Sequence, residues 1–488
     1  MTLAARTVWI TLPAGLALAA LGAVGCTKPV EVTVPAPKRS EGSAPADLKY
    51  APVGMSGCLA AACHGAPARD LLAGKYDTTT WQSSGSCWVA ADPHAAAYSL
   101  LTARPHRPVK VTAAHIMARY APGTEAVNDA RCVACHTNPT LAAEKHFNEP
   151  SARTLRTEGV SCEACHGSAG GWVTDHTTWS GDRKDVYAKT GLVPLYDLGE
   201  RAVACAGCHV GAPADPDRGI PVRDMNHDMI AAGHPRLNFD FAEYLRRLPT
   251  HWQEKDRTQT PPAPFTLNPA KAWLVGRVAH AEAACRLLAD RAARTASDPR
   301  TPWPEFAEFN CAACHHNLRA AGETDETANW RKEAEHLAGR ALGAAPWQPI
   351  WPLTAAAGID RPAADAAPLK DVVRAMSVPR PRRADAAQTA LRVAGELAGR
   401  RQKLVAATAA EVEAEARGQF PKSPLRAPEW DSAAQLFFGS AALERARPSG
   451  AEIVPVFRKA LAALRTDDWP RVKWVEVNEA LEAIGNNR

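Results

Sequence analysis

The chain has 488 residues, 57 Lys and Arg against 52 Asp and Glu, 46% apolar side chains, 32 Gly, 39 Pro and 13 Cys. The ordinary apolar fraction excludes a chain disordered throughout, the composition excludes a collagen, and the want of a long apolar run beyond the first 26 residues excludes a polytopic membrane protein. A formal charge of +5 is mild for this length, and no Lys/Arg block marks a nucleic-acid surface.

Residues 1–25 read as a secretory signal peptide: Arg6 is the one charge, Val8 to Gly25 is uncharged and broken by Pro13, and small residues precede Cys26. This predicts a periplasmic or cell-envelope protein. The end also resembles a bacterial lipobox, which predicts a lipoprotein attached to the membrane through lipidated Cys26. Ala23 departs from the Leu usual at its place in a lipobox. Simple cleavage near the same point and an uncleaved anchor are the competing readings. Residues 26–49, rich in Pro, Ala and charge and without periodicity, read as a tether.

The cysteines decide the class of the next segment. Four pairs are spaced by two residues and followed at once by His: Cys132, Cys135 and His136; Cys162, Cys165 and His166; Cys205, Cys208 and His209; Cys311, Cys314 and His315. At this chain's Cys and His frequencies about 0.01 such matches arise by chance. Two thiols at this spacing reach the two vinyl groups on one edge of a porphyrin, and the adjacent His places a nitrogen under the iron. Zinc knuckles use Cys-x-x-Cys too, but need four ligands per metal and no His after every pair. A fifth, stretched motif has four residues between Cys58 and Cys63, followed by His64. The expectation is five covalently attached haem c groups. Of the remaining cysteines, Cys285 lies in an apolar helical stretch and reads as a buried thiol, and Cys87 sits beside Trp88. A Cys87 to Cys285 disulfide is a further reading that sequence leaves open.

Eleven of the 16 histidines are not in these motifs. Five irons with two axial imidazoles each need only five of them. The best local support belongs to His94, which follows Asp92-Pro93, to His176, ten residues after His166, and to His227 and His234, which flank a short segment ending in Gly233. His316 directly follows His315, and consecutive helix positions diverge by about 100°, so it would serve a neighbouring iron rather than the same one. His106, His115, His146, His251, His280 and His336 rank lower.

The run Glu158-Gly159-Val160-Ser161-Cys162-Glu163-Ala164-Cys165-His166-Gly167, then His176, then Cys205 to His209, with the upstream Trp88 to His94 segment, resembles the core of the cytochrome c-554 family. The resemblance covers about residues 55–235. It implies closely stacked haem pairs whose ligands cross between motifs. His176 would cap the haem of Cys58 and Cys63, and His94 that of Cys162 and Cys165. The resemblance also implies one iron without a sixth protein ligand, above His136. The stretched first motif and the fifth motif depart from the family pattern.

One motif per roughly 54 residues over 50–318, with abundant turn residues, predicts a pentahaem cytochrome domain of short helices, little sheet and a haem-filled core. The region 319–488 turns Ala-rich and Cys-free. A Pro-rich stretch runs from about Ala345 to Arg382, and three or four helices follow. Val454, Phe457, Leu461 and Leu464, and again Trp474, Val477, Leu481 and Ile484, fall at helical spacing. The fold class expected is mainly α, a multihaem cytochrome c plus a C-terminal helical bundle, with residues 271–295 also helical.

An iron with two His ligands exchanges electrons but binds no substrate. The functional expectation is an exported electron carrier between a redox protein or quinol-side donor and a downstream acceptor. The alternative is an oxidoreductase of the nitrite- or hydroxylamine-type, acting on a small nitrogen compound at an open iron above His136. Against it, no motif has Lys after its second Cys. Haem-based sensing is a third reading.

Overall fold

The computed structural model describes residues 51–68, 80–103, 105, 109, 111–179, 184–237, 239–256, 263–297, 302–308, 369–376, 381–418, 430–447 and 479. The expected leader, Cys26 and tether, the motif Cys311–His315 with His316, His106, His336 and the two apolar stripes after residue 450 lie outside them. The described chain is mainly helical, as its composition and motif spacing predict. Sheet is confined to one antiparallel pair, β1 (Lys255–Asp256) and β2 (Ala263–Pro264).

Short helices carry the first half: α1 (Ser84–Ala91), α2 (Ala113–Tyr120), α3 (Ala130–His136), α4 (Glu144–Phe147), α5 (Pro150–Arg156), α6 (Cys162–His166), α7 (Lys184–Thr190), α8 (Leu198–His209), α9 (His227–Ala231) and α10 (Phe241–Arg247). Short polar side chains start several of them by accepting an otherwise orphan backbone N–H. Asp129 caps α3 through Arg131 N–H at 2.9 Å, Asp197 caps α8 through Gly199 and Glu200 N–H at 2.8 and 3.0 Å, and Asp240 caps α10 through Glu243 N–H at 2.8 Å. Helix α6 stops at Gly167, whose φ of +86° turns the chain sharply and whose missing Cβ leaves room for the Gly191 carbonyl.

The second half is built on long helices. Helix α11 (Pro269–Ser297) is buried nearly all round, because α13 (Arg383–Ala406) runs along it while α8, α10, α14 (Ala409–Gly418) and α15 (Trp430–Arg445) cover its other faces. Helix α12 (Leu369–Met376) packs on α13. Leu274, Leu288, Leu397, Val393 and Leu404 form the centre of this core. Gly276 lets α11 approach α10, since a Cβ there would sit 2.4 Å from Phe241. The core encloses charge in pairs: Arg401 of α13 bridges Glu282 of α11 at 3.0 Å and Glu200 of α8 at 3.1 Å. A second, smaller apolar cluster, with Leu101, Met117, Val133 and Ala142, surrounds α3.

Candidate haem-binding site

Three regular motifs end helices: His136 is the last residue of α3, His166 of α6 and His209 of α8. On a helix, residues three and four apart share a face, so each places both sulfurs and the following imidazole on one side. The stretched motif reaches the same end differently. Cys58 follows a turn of 3₁₀ helix at Met55–Gly57, and His64 N–H closes back on the Cys58 carbonyl at 3.2 Å, so the extra residues form a wider loop.

The imidazoles then meet across the fold. His64 and His176 lie with ring centroids 6.3 Å apart and planes 15° from parallel. His94 and His209 are 6.1 Å apart at 75°, and His136 and His234 6.4 Å apart at 80°. An imidazole nitrogen sits about 2 Å from a bound first-row metal, so two imidazoles on opposite sides of one iron have centroids roughly 6 Å apart. All three separations fit an iron between the rings.

The outer nitrogens settle which nitrogen faces inward. His64 Nδ1 is 2.8 Å from the Trp81 carbonyl, His136 Nδ1 3.0 Å from that of Ala97, His176 Nδ1 2.6 Å from that of Val173, and His234 Nδ1 2.8 Å from that of Pro235. A carbonyl only accepts, so each Nδ1 carries the proton and each Nε2 keeps its lone pair for a metal. His94 Nδ1 donates instead to the Asp92 carboxylate at 2.9 Å. Burial pushes the His94 imidazole down, but the hydrogen bond to Asp92 and its charge outweigh this and raise it. Burial lowers His136 and His234, and takes His166 and His209 to about 4, the neutral state that ligation needs.

His166 has a less expected neighbour. After burial, the largest influence on it is His251, itself buried and lowered by desolvation. Arg201 of α8 pairs with Glu254 at 2.6 Å, Glu254 accepts from Trp252 Nε1 at 2.8 Å, and the guanidinium lies over the Trp252 ring, which fixes the loop that presents His251. Local sequence gave His251 no support beyond adjacent Trp252, because this placement comes from α8, some fifty residues upstream.

The sulfurs group in the same crossed manner. The Cys58 thiol lies beside that of Cys162, and the Cys135 thiol beside that of Cys208. The first motif therefore adjoins the third, and the second adjoins the fourth. Burial pushes the Cys132 and Cys205 thiols up to about 12. Cys63, Cys165 and the other described motif cysteines form no disulfides, nor do Cys87 and Cys285, both fully buried. Arg223 stands 3.8 Å from the Cys208 sulfur.

Buried donors without partners test whether a large polar-edged group fits. Asn138 Nδ2, Trp172 Nε1 and Arg223 Nε are buried and have no hydrogen-bond acceptor among the described residues. Trp172 lies edge-on to His176 at 5.4 Å. An orphaned buried donor is costly, and the carboxylates of a porphyrin are acceptors of the kind these groups want. The paired imidazoles, paired sulfurs and orphan donors fit haem c.

Two expectations drawn from the family resemblance differ from this geometry. His94 faces His209, not His166, because Asp92 turns its Nε2 toward the end of α8. The place opposite His136 is taken by His234, which the chain reversal at Gly233, φ +114°, delivers there. His227 donates its backbone N–H to Glu305 at 2.8 Å and packs edge-on to Phe306.

Residues 80–167 match the family model described as cytochrome c554 and c-prime. Over those residues the chain resembles c-type cytochromes of this family, a class that carries covalently bound haem c. No curated protein and no solved structure matches it. Among the described residues no helix is long and apolar enough to cross a membrane.

Proposed function

We propose that this chain is an exported pentahaem c-type cytochrome that carries electrons between a redox protein or quinol-side donor and a downstream acceptor in the cell envelope, held near the membrane as a lipoprotein through Cys26. The observation that carries the reading is the set of three imidazole pairs with centroids 6.1 to 6.4 Å apart. Haem c, when bound, supplies a one-electron Fe(III)/Fe(II) couple.

The chain's own residues do the rest. His64 with His176, His136 with His234, and His209 with His94 would hold three of the irons, and His166, which His251 influences most among the described imidazoles, would hold a fourth. The Nδ1 acceptors of His64, His94, His136, His176 and His234 fix those rings with Nε2 toward the metal. Imidazoles on both sides exclude water and substrate, so little rearrangement accompanies the arrival or departure of an electron. The crossed sulfur contacts, Cys58 with Cys162 and Cys135 with Cys208, favour short separations between cofactors of the first and third and of the second and fourth motifs.

The reading is tested by haem quantitation with low-temperature electron paramagnetic resonance of the oxidised holoprotein. Five haems per chain with low-spin irons is the expected result. A high-spin iron that changes on adding nitrite or hydroxylamine would replace it with the oxidoreductase alternative.

A further inference from the structure

The intervening positions of the four regular attachment motifs hold Val, Ala or Gly with a single exception, Glu163. The residue is buried, 4% exposed. Oε1 accepts from Val53 N–H at 2.9 Å and Ala169 N–H at 2.6 Å, and Oε2 accepts from Gly54 N–H at 2.8 Å. Three donors and no acceptor face the oxygens, which a carboxylate satisfies and a carboxylic acid, with its own O–H to place, does not. All three donors are neutral backbone amides, and among the described residues no Arg, Lys or His forms an ion pair with Glu163. The negative charge is solvated but not cancelled.

The location matters as much as the charge. The donors Val53 and Gly54 lead into Cys58, whose thiol lies beside that of Cys162, the residue before Glu163. The next amide, Met55 N–H, is shared by both oxygens of Glu158 at 3.1 Å. Gly54 permits this close seat: its φ is +81°, and a Cβ would come 2.3 Å from Leu155 Cδ2. Glu163 thus stands at the junction of the first and third motifs and ties one to the other.

We propose that Glu163 is a redox-tuning residue, an uncompensated buried carboxylate that lowers the potentials of the two irons bound through His64 and His166. This rests on the cytochrome reading above. A fixed negative charge in a low-dielectric interior stabilises Fe(III) over Fe(II), and burial keeps solvent from screening it. The second motif lies with the other sulfur pair, through Cys135 and Cys208, and its iron, bound through His136, should move less.

The test is a redox titration of the holoprotein followed by paramagnetic resonance and visible absorption, comparing wild type, Glu163→Gln and Glu163→Asp. The near-parallel His64 and His176 rings split the iron orbitals more than the near-perpendicular pairs, so their iron gives a separate rhombic signal. Glu163→Gln is expected to shift that couple positive by at least a tenfold change in its oxidised-to-reduced ratio, about 59 mV for one electron, with the couple of His136 and His234 moved less. Glu163→Asp, which keeps the charge but loses reach, is expected to retain the low potential even where it melts earlier. An unmoved couple in Glu163→Gln, or an equal rise in both variants, overturns the proposal. Haem quantitation separates its failure from that of the cytochrome reading, which falls if the wild-type chain carries no haem.

Discussion

His136 and His234 face each other across 6.4 Å with their ring planes 80° apart, each with Nδ1 on a main-chain carbonyl. This relation separates the two functional readings, because the same place left open would give a small molecule access to metal. Replacing His234 by Ala is expected to convert one iron per chain from low to high spin and to create one carbon monoxide site on reduction. The other irons should keep their spectra. A variant that stays wholly low-spin would show that another ligand serves His136.

Asp92 does two jobs, capping the turn that follows and accepting from both His94 N–H and His94 Nδ1–H at 2.9 Å. A carboxylate-bonded imidazole is a stronger donor to metal than an amide-bonded one. Asp92→Asn, whose amide oxygen still caps the turn, should therefore raise the potential of one couple with perpendicular ring planes and change stability little. Redox titration and thermal melting of the same preparation read both effects.

Asp240 gives a pH dependence with a definite sign. Burial pushes it up to about 6, partly opposed by Glu243 N–H, the charge of Arg277 and a bond to Gln435, and reinforced by the charge of Glu243; Arg445 and Tyr244 complete its charged and titratable surroundings. The unfolded carboxyl titrates near 4. Between the two values the folded chain holds a proton that the unfolded chain lacks, so this group's contribution is full below about pH 4 and is lost as pH rises through about 6. Asp240→Asn, which still caps α10, should remove that slope, gaining about 2 kcal/mol on wild type at pH 7 in chemical denaturation.

Leu288 is fully buried between α11 and its partners. Leu288→Ala should cost about 2–5 kcal/mol of stability by cavity formation, with the haem absorption bands of the native protein unchanged. A spectral change in the folded variant would mean that this core also sets ligand geometry.

What the sequence made legible follows from how local each signal is. Attachment motifs are local, since two sulfurs and an imidazole must meet one ring, and the sequence places all of them without a fold. Helix α11 was readable too, expected over 271–295 and found at Pro269–Ser297, because apolar residues on every face and absent Pro or Gly-Pro breaks persist for many turns. Axial partners are not local. His251 depends on Arg201, Glu254 and Trp252, which only the folded chain assembles, and His94 pairs with His209 rather than His166 because of an Asp92 contact that spacing cannot reveal. The short sheet, β1 with β2, has only two residues per strand and no alternating pattern to announce it.

The pairing of imidazoles from remote stretches, His94 with His209 above all, has a consequence for how the chain acquires its shape. Each such bond closes a long loop, whose entropy must be met before any reward arrives. Meanwhile every iron can bind whichever spare imidazole reaches it first. Renaturation near neutral pH should therefore stall in wrongly ligated intermediates, and mild acid, which protonates unbound imidazoles, should hasten it. The protein's electron path and its slowest folding step would then have one origin, the choice of partner made at each metal.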